Sequence, residues 1–152
     1  MIATEIEQIE QHATKIKNGE HDRVFPGMPL SMSRAMVAGD AIAQGDLLLV
    51  VHDAIPNEYV KIEHPQDADR QLVPGNTVGA RHCLDSLEGI VLYRPTKWDE
   101  ESFDGPFFQT TQERVVMHPT HGSVTVPGGM TIGCHYQKEF DAIQMRERRA
   151  RD

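Results

Sequence analysis

The sequence is short of several things, and each shortage removes a class of protein. It has only two cysteines, Cys83 and Cys134, in 152 residues, too few for the disulfide framework of a small secreted domain. They could pair only across neighbouring strands, and the expected state is two reduced thiols. Apolar runs are brief. The longest, Leu47 to Val51, has the length of one buried strand and falls far below the roughly 20 residues that cross a bilayer. The N-terminus, MIATEIEQIEQ, carries acidic residues and has no apolar h-region, so it does not read as a secretory signal. These features point to a cytoplasmic protein with no membrane contact. Positive charge is scarce too. With 15 Lys and Arg against 23 Asp and Glu, the net charge is −8, the wrong sign for wrapping nucleic acid. Finally, there is no G-x-S-x-G, no P-loop and no Rossmann fingerprint, so the sequence declares no enzyme class.

What is present divides the chain into four stretches. Residues 1–19 read as an amphipathic helix. Thr4 and Glu7 fit a capping box, and Ile2, Ile6, Ile9, Ala13 and Ile16 form one apolar stripe. Gly19 is a plausible stop. The stripe is as narrow as a coiled-coil seam and about two heptads long, marginal alone in water. It packs on its own domain, or it meets a partner protein or copies of itself through Ile6, Ile9, Ala13 and Ile16. Residues 20–40 read as a connector, with a short helix expected over 31–40 and ending at Gly39. From 41 to 144 the pattern becomes short strands. LLLVV is launched by the Gln44-Gly45-Asp46 turn, YVKIE alternates apolar and polar, and Pro74-Gly75, Glu88-Gly89, Gly105-Pro106 and Pro127-Gly128 punctuate the rest. This predicts a mainly β fold, a small antiparallel β-barrel or sandwich, with cupin-like closure among the options. The acidic loop from Thr96 to Gly105 is expected on the surface with Trp98 tucked back as an anchor. Residues 145–152 are an arginine-rich tail, expected to extend a helix from Phe140, and are the one place where nucleic acid or an acidic neighbour could be gripped.

Histidine is the chemical theme. There are eight, and His82, His118, His121 and His135 fall in strand segments expected to lie together. Neutral imidazoles converging from rigid strands are what a divalent transition metal such as zinc, iron or manganese requires. Neighbours on a strand face opposite ways, so His82 and Cys83 cannot both point inward, nor can Cys134 and His135. His118 and His121 share a face only if the chain bends at Pro119-Thr120, and a proline there favours the bend. The candidate metal ligands are therefore His82, His118 and His121, with His135 or Cys134 as a fourth. The alternative is a set of ordinary surface histidines.

Taken together, QGDLLLV (44–50), Pro56, VGARHC (78–83), VMHPTHGSVTVPGGMTIGCHYQKEFD (116–141) and the closing Arg and Asp resemble a family of small proteins of bacteria and their phages. The usual form of that family runs Q-G-D-V-L, G-E-x-T-G-H-x-H, H-x-E-H, L-P-x-G, Q-R-E-Y and R-x-V-x-D. The resemblance covers about residues 44–152 and leaves out the N-terminal helix. It implies no particular activity, but the family's G-H-x-H and H-x-E-H look like a metal site. It also adds a phage particle to the expected locations. This chain departs from the pattern. Gly79 matches, Ala80 stands where the first histidine would be, and His82 keeps the second. His118 and His121 are kept, with Thr120 in place of the acidic residue between them. Loss of that carboxylate weakens a water-activating role more than a structural one.

Two functions follow as expectations. One is a small β domain that binds a divalent metal through His82, His118 and His121. The other is a phage-type structural or interaction protein, a capsid decoration or assembly component, in which the histidine cluster is vestigial and the helix and tail grip neighbours as a homo-oligomer or with a partner protein.

Overall fold

Residues 29–75, 82–141 and 146–149 are described in the computed structural model. The expected N-terminal helix, with Ile6, Ile9, Ala13 and Ile16, lies outside them.

The strands follow from alternation. In β3 (Leu47–Val51), Leu47, Leu49 and Val51 are buried while Leu48 and Val50 are only partly covered, the period-2 pattern of a strand with one face on a core. β2 (Ala41–Gln44) pairs with it through the two-residue loop Gly45-Asp46. Gly45 alone takes a positive φ there, +60°, the signature of a II′ hairpin turn, which admits glycine at little cost. β10 (Thr131–Tyr136) pairs with β3 on its other side, followed by β7 (Asp104–Thr110), β6 (Ile90–Arg94) and β4 (Val60–Lys61). These six strands form one antiparallel sheet in the order β2-β3-β10-β7-β6-β4. A second sheet runs β1-β9-β8-β5, from Leu30–Ser31, Val124–Val126, Arg114–Met117 and Cys83–Leu84.

The core lies between these sheets. Leu47, Leu49, Leu92, Phe108, Ile132, Cys134 and Tyr136 of the larger sheet form one cluster with Leu30, Leu84, Val116, Val124 and Val126 of the smaller. Each such fully buried Leu, Ile or Phe contributes about 1.5–3 kcal/mol. The mainly β expectation holds. The sheets are open and do not close into a barrel. One pairing departs from the antiparallel rule: β1 runs parallel to β9, Leu30 opposite Val124. Strands this far apart in sequence are under no hairpin constraint on direction.

Three local expectations meet the structure as follows. The short helix over 31–40 is replaced by two turns after β1. The Ser33 hydroxyl accepts from the Ala35 N–H at 3.0 Å and the Asp40 carboxylate from the Val37 N–H at 2.9 Å. Such side-chain bonds offer the backbone an alternative to helix. The tail does not continue a helix from Phe140. β11 (Lys138–Asp141) and β12 (Arg146–Arg149) form a two-stranded antiparallel ribbon with Phe140 opposite Glu147. The backbone bonds therefore run between segments and not along one. Trp98 does anchor its loop: its indole N–H donates to the Tyr136 hydroxyl at 3.0 Å, and the Arg94 guanidinium lies 4.5 Å above the ring. Among the described residues no helix is long and apolar enough to cross a membrane.

Candidate functional site

The two ends of the β2–β3 turn point into the protein. Gln44 follows Ile42 on the inward face of β2, and both are buried. Its amide donates to the Val116 carbonyl at 2.9 Å and the Gly122 carbonyl at 2.7 Å, both on the smaller-sheet side. Two carbonyl acceptors fix which end of the amide is NH₂, so Oε1 faces the other way. There it meets His82 Nδ1 at 2.9 Å. The second nitrogen of His82, Nε2, lies 3.0 Å from the Asp46 carboxylate. Thus Gln44, Asp46 and His82 form a buried polar knot joining the first hairpin to the chain just before β5.

His82 carries backbone strain as well as bonds. Its φ is +38°, the one positive value at a non-glycine among the described residues. A side chain in the left-handed region costs on the order of 1–3 kcal/mol and persists when its surroundings over-determine it. With 1% of its surface exposed and both nitrogens bonded, His82 has such surroundings.

The other two predicted residues complete a stack. The chain turns after β8 at Pro119-Thr120, and His118 Nδ1 accepts the backbone N–H groups of Thr120 and His121, each at 3.1 Å. The imidazole thereby caps its own turn. Ring centroids are 4.5 Å apart for His82 and His118 and 4.4 Å for His118 and His121. The three histidines are brought side by side, with faces tilted together. Among the described residues no group of three or more His, Cys, Asp or Glu is disposed to hold a metal ion.

The fourth-ligand candidates part company. Cys134 points into the core, where burial pushes its thiol well above the usual range. A thiol held protonated is a packing group and not a metal ligand. It is free, as is Cys83, which sits on the other sheet and contacts the Leu84 carbonyl. His135, its neighbour, faces outward from β10. Its Nδ1 lies 2.8 Å from the Asp104 carboxylate and its Nε2 lies 3.0 Å from Nε2 of His52. Phe107, 1% exposed although outside the inter-sheet core, lies beneath this pair, its ring 4.5 Å from that of His52 and 4.7 Å from that of Tyr59. Burial, and then the positive charge His135 can carry, lower the His52 pKa. Burial, and then Asp104, raise that of Tyr59.

Sequence reasoning missed Gln44, Asp46 and His52. Gln44 and Asp46 were visible as the Q-G-D of the first hairpin, read there as a turn and as part of the family pattern but not as partners of a histidine. For His52 there was no signal, because its partner lies 83 residues away.

The fold and knot define a class: an open two-sheet β domain in which a turn-borne amide and carboxylate bind a buried histidine. The chain belongs to the family of a domain of unknown function (DUF8820), whose model matches residues 43–132. The match takes in Gln44, Asp46, His52, His82, Asp104, His118 and His121, and stops short of His135. Comparisons with curated proteins and with solved structures give no match.

Proposed function

We propose that this chain is a structural or interaction module, a β scaffold whose inter-sheet histidines serve the fold while surfaces elsewhere meet partners. The observation that supports it is the engagement of His82. A ligand histidine must turn a lone pair toward the metal. Here one ring nitrogen gives its hydrogen to Gln44 and the other faces Asp46. In this reading the stripe Ile6, Ile9, Ala13 and Ile16 mediates a homo-oligomer or partner contact, as an assembly component requires. The test is the solution mass of the full chain against Ile6→Glu/Ile9→Glu. A drop to a smaller species supports the reading, and an unchanged mass removes the helix from it.

A second reading is favoured by the stacking itself, with centroids 4.5 and 4.4 Å apart. A divalent metal would be held by His82, His118 and His121 after His82 leaves Gln44 or Asp46. Elemental analysis of untagged protein, purified without chelator, separates the two. Near-stoichiometric zinc, iron or manganese that disappears in His121→Ala would establish this second reading.

A further inference from the structure

The outer face of the larger sheet carries a pair of histidines whose Nε2 atoms face each other. Nε2 of His52 and Nε2 of His135 lie 3.0 Å apart. The ring centroids lie 5.2 Å apart, 2.2 Å more than the nitrogens, so the rings meet end to end. Asp104 accepts at His135 Nδ1, 2.8 Å away, which leaves His135 Nε2 as an acceptor. His52 then supplies the one proton between them. A carboxylate behind an imidazole is the arrangement that orients metal-ligating histidines and raises their basicity.

The backbone beneath is shaped for this meeting. A Cβ on Gly133 would stand 2.7 Å from His52 Nε2, 2.8 Å from His135 Nε2 and 2.7 Å from Phe107 Cζ. Only glycine lets both nitrogens close over the strand. Phe107 supplies an apolar floor, and His135 keeps a quarter of its side chain exposed, so solvent ions reach the pair. Asp104 and Asp53 both act on His52 with negative charge, a field that favours a cation.

We propose that His52 and His135 form a binding site for a divalent transition metal, with Asp104 orienting His135. The metal takes the place of the shared proton. The His52 hydrogen moves from Nε2 to Nδ1, the His52 ring tilts, and both Nε2 lone pairs converge. Metal–imidazole bonds of about 2.0–2.1 Å separate two nitrogens by about 3.3 Å at a tetrahedral angle and about 2.9 Å at a right angle. The observed 3.0 Å is closer to the right angle, the geometry of tetragonal copper(II) or nickel(II) more than of zinc. The remaining positions stay open to solvent or to a further ligand.

The inference is independent of the inter-sheet stack, and its test keeps them apart. Copper(II) is titrated into the full chain in a non-coordinating buffer and followed by electron paramagnetic resonance, with affinity from chelator competition. One tight equivalent coupled to two imidazole nitrogens is expected. His135→Ala and His52→Ala should each lose one coupling and at least tenfold in affinity. Asp104→Asn should weaken binding about 10–100-fold, and His121→Ala should leave it unchanged. Gly133→Ala keeps every ligand but crowds both nitrogens, so weakened copper in a variant with native circular dichroism supports the site even if His135→Ala fails to fold. A spectrum and affinity unchanged in both His135→Ala and Gly133→Ala would overturn the proposal. So would copper lost in His121→Ala but kept in His135→Ala, or no tight equivalent in the wild type.

Discussion

Two histidine clusters lie on opposite faces of one sheet, and they differ in what their nitrogens are doing. Inside, His82 is 1% exposed and bound at both nitrogens by groups of a single hairpin turn. Outside, His135 and His52 share one hydrogen on a surface that water reaches. The first arrangement holds a fold, because both nitrogens of a buried ring are engaged by the hairpin and removing one partner strands the others. The second leaves an exchangeable proton between two bases. The number of histidines is a poor guide to chemistry; the occupancy of each ring nitrogen is a better one.

This contrast can be broken most directly at His82. His82→Ala removes both bonds and leaves the buried Asp46 and Gln44 without their imidazole. A loss of about 3–5 kcal/mol is expected, as for one partner taken from a buried pair; the positive φ at this position is not relieved, because alanine also carries a Cβ. Urea denaturation measures it, and a midpoint equal to the wild type would mean that the knot does not hold the sheets. Gln44→Leu keeps the volume but withdraws the partners of His82 Nδ1, Val116 and Gly122. It should cost about 1–3 kcal/mol, read from the same transition. On the outer face, Gly133→Ala forces a methyl against two imidazoles and Phe107. Overpacking costs about 1–3 kcal/mol, at the lower end here because the imidazoles can turn outward. Thermal melting that rises instead of falling would show that the pair does not close over Gly133.

The smallest effect concerns pH. Burial and His135 hold His52 below its ordinary value of 6.5. The folded state therefore binds fewer protons than the unfolded chain just below that value. The contribution of the neutral ring is complete above pH 6.5 and is lost as pH falls through the lowered folded value. His135, Asp104 and Asp53 face the same ring and shape the curve. Solvent screening at this half-exposed site keeps the effect below about 1 kcal/mol. Comparing denaturation midpoints at pH 8 and pH 5, His52→Gln should be flatter than the wild type. Parallel curves would remove His52 from the pH response.

The legible parts of the sequence were those governed by neighbours in the chain. Alternation at Leu47, Leu49 and Val51 identified a strand, Gly45 identified the hairpin, and Pro119 identified the bend that brings the rings of His118 and His121 together. Where local chemistry competed, the reading failed. Ser33 and Asp40 turned an expected helix into two turns, and the arginine-rich tail pairs as a strand because β11 offers it a ladder.

By itself, then, the sequence determined a mainly β chain without a long apolar span among its residues, with four candidate histidines, His82, His118, His121 and His135, after a Q-G-D turn. Tertiary structure alone decided which nitrogens are occupied. Gln44 and Asp46 reach His82 across 38 and 36 residues, and His52 reaches His135 across 83. Periodicity records which face a side chain takes, since that depends on residues one or two away. It carries no record of what stands opposite, since that depends on sheet order and register, which are set by the packing of the whole core.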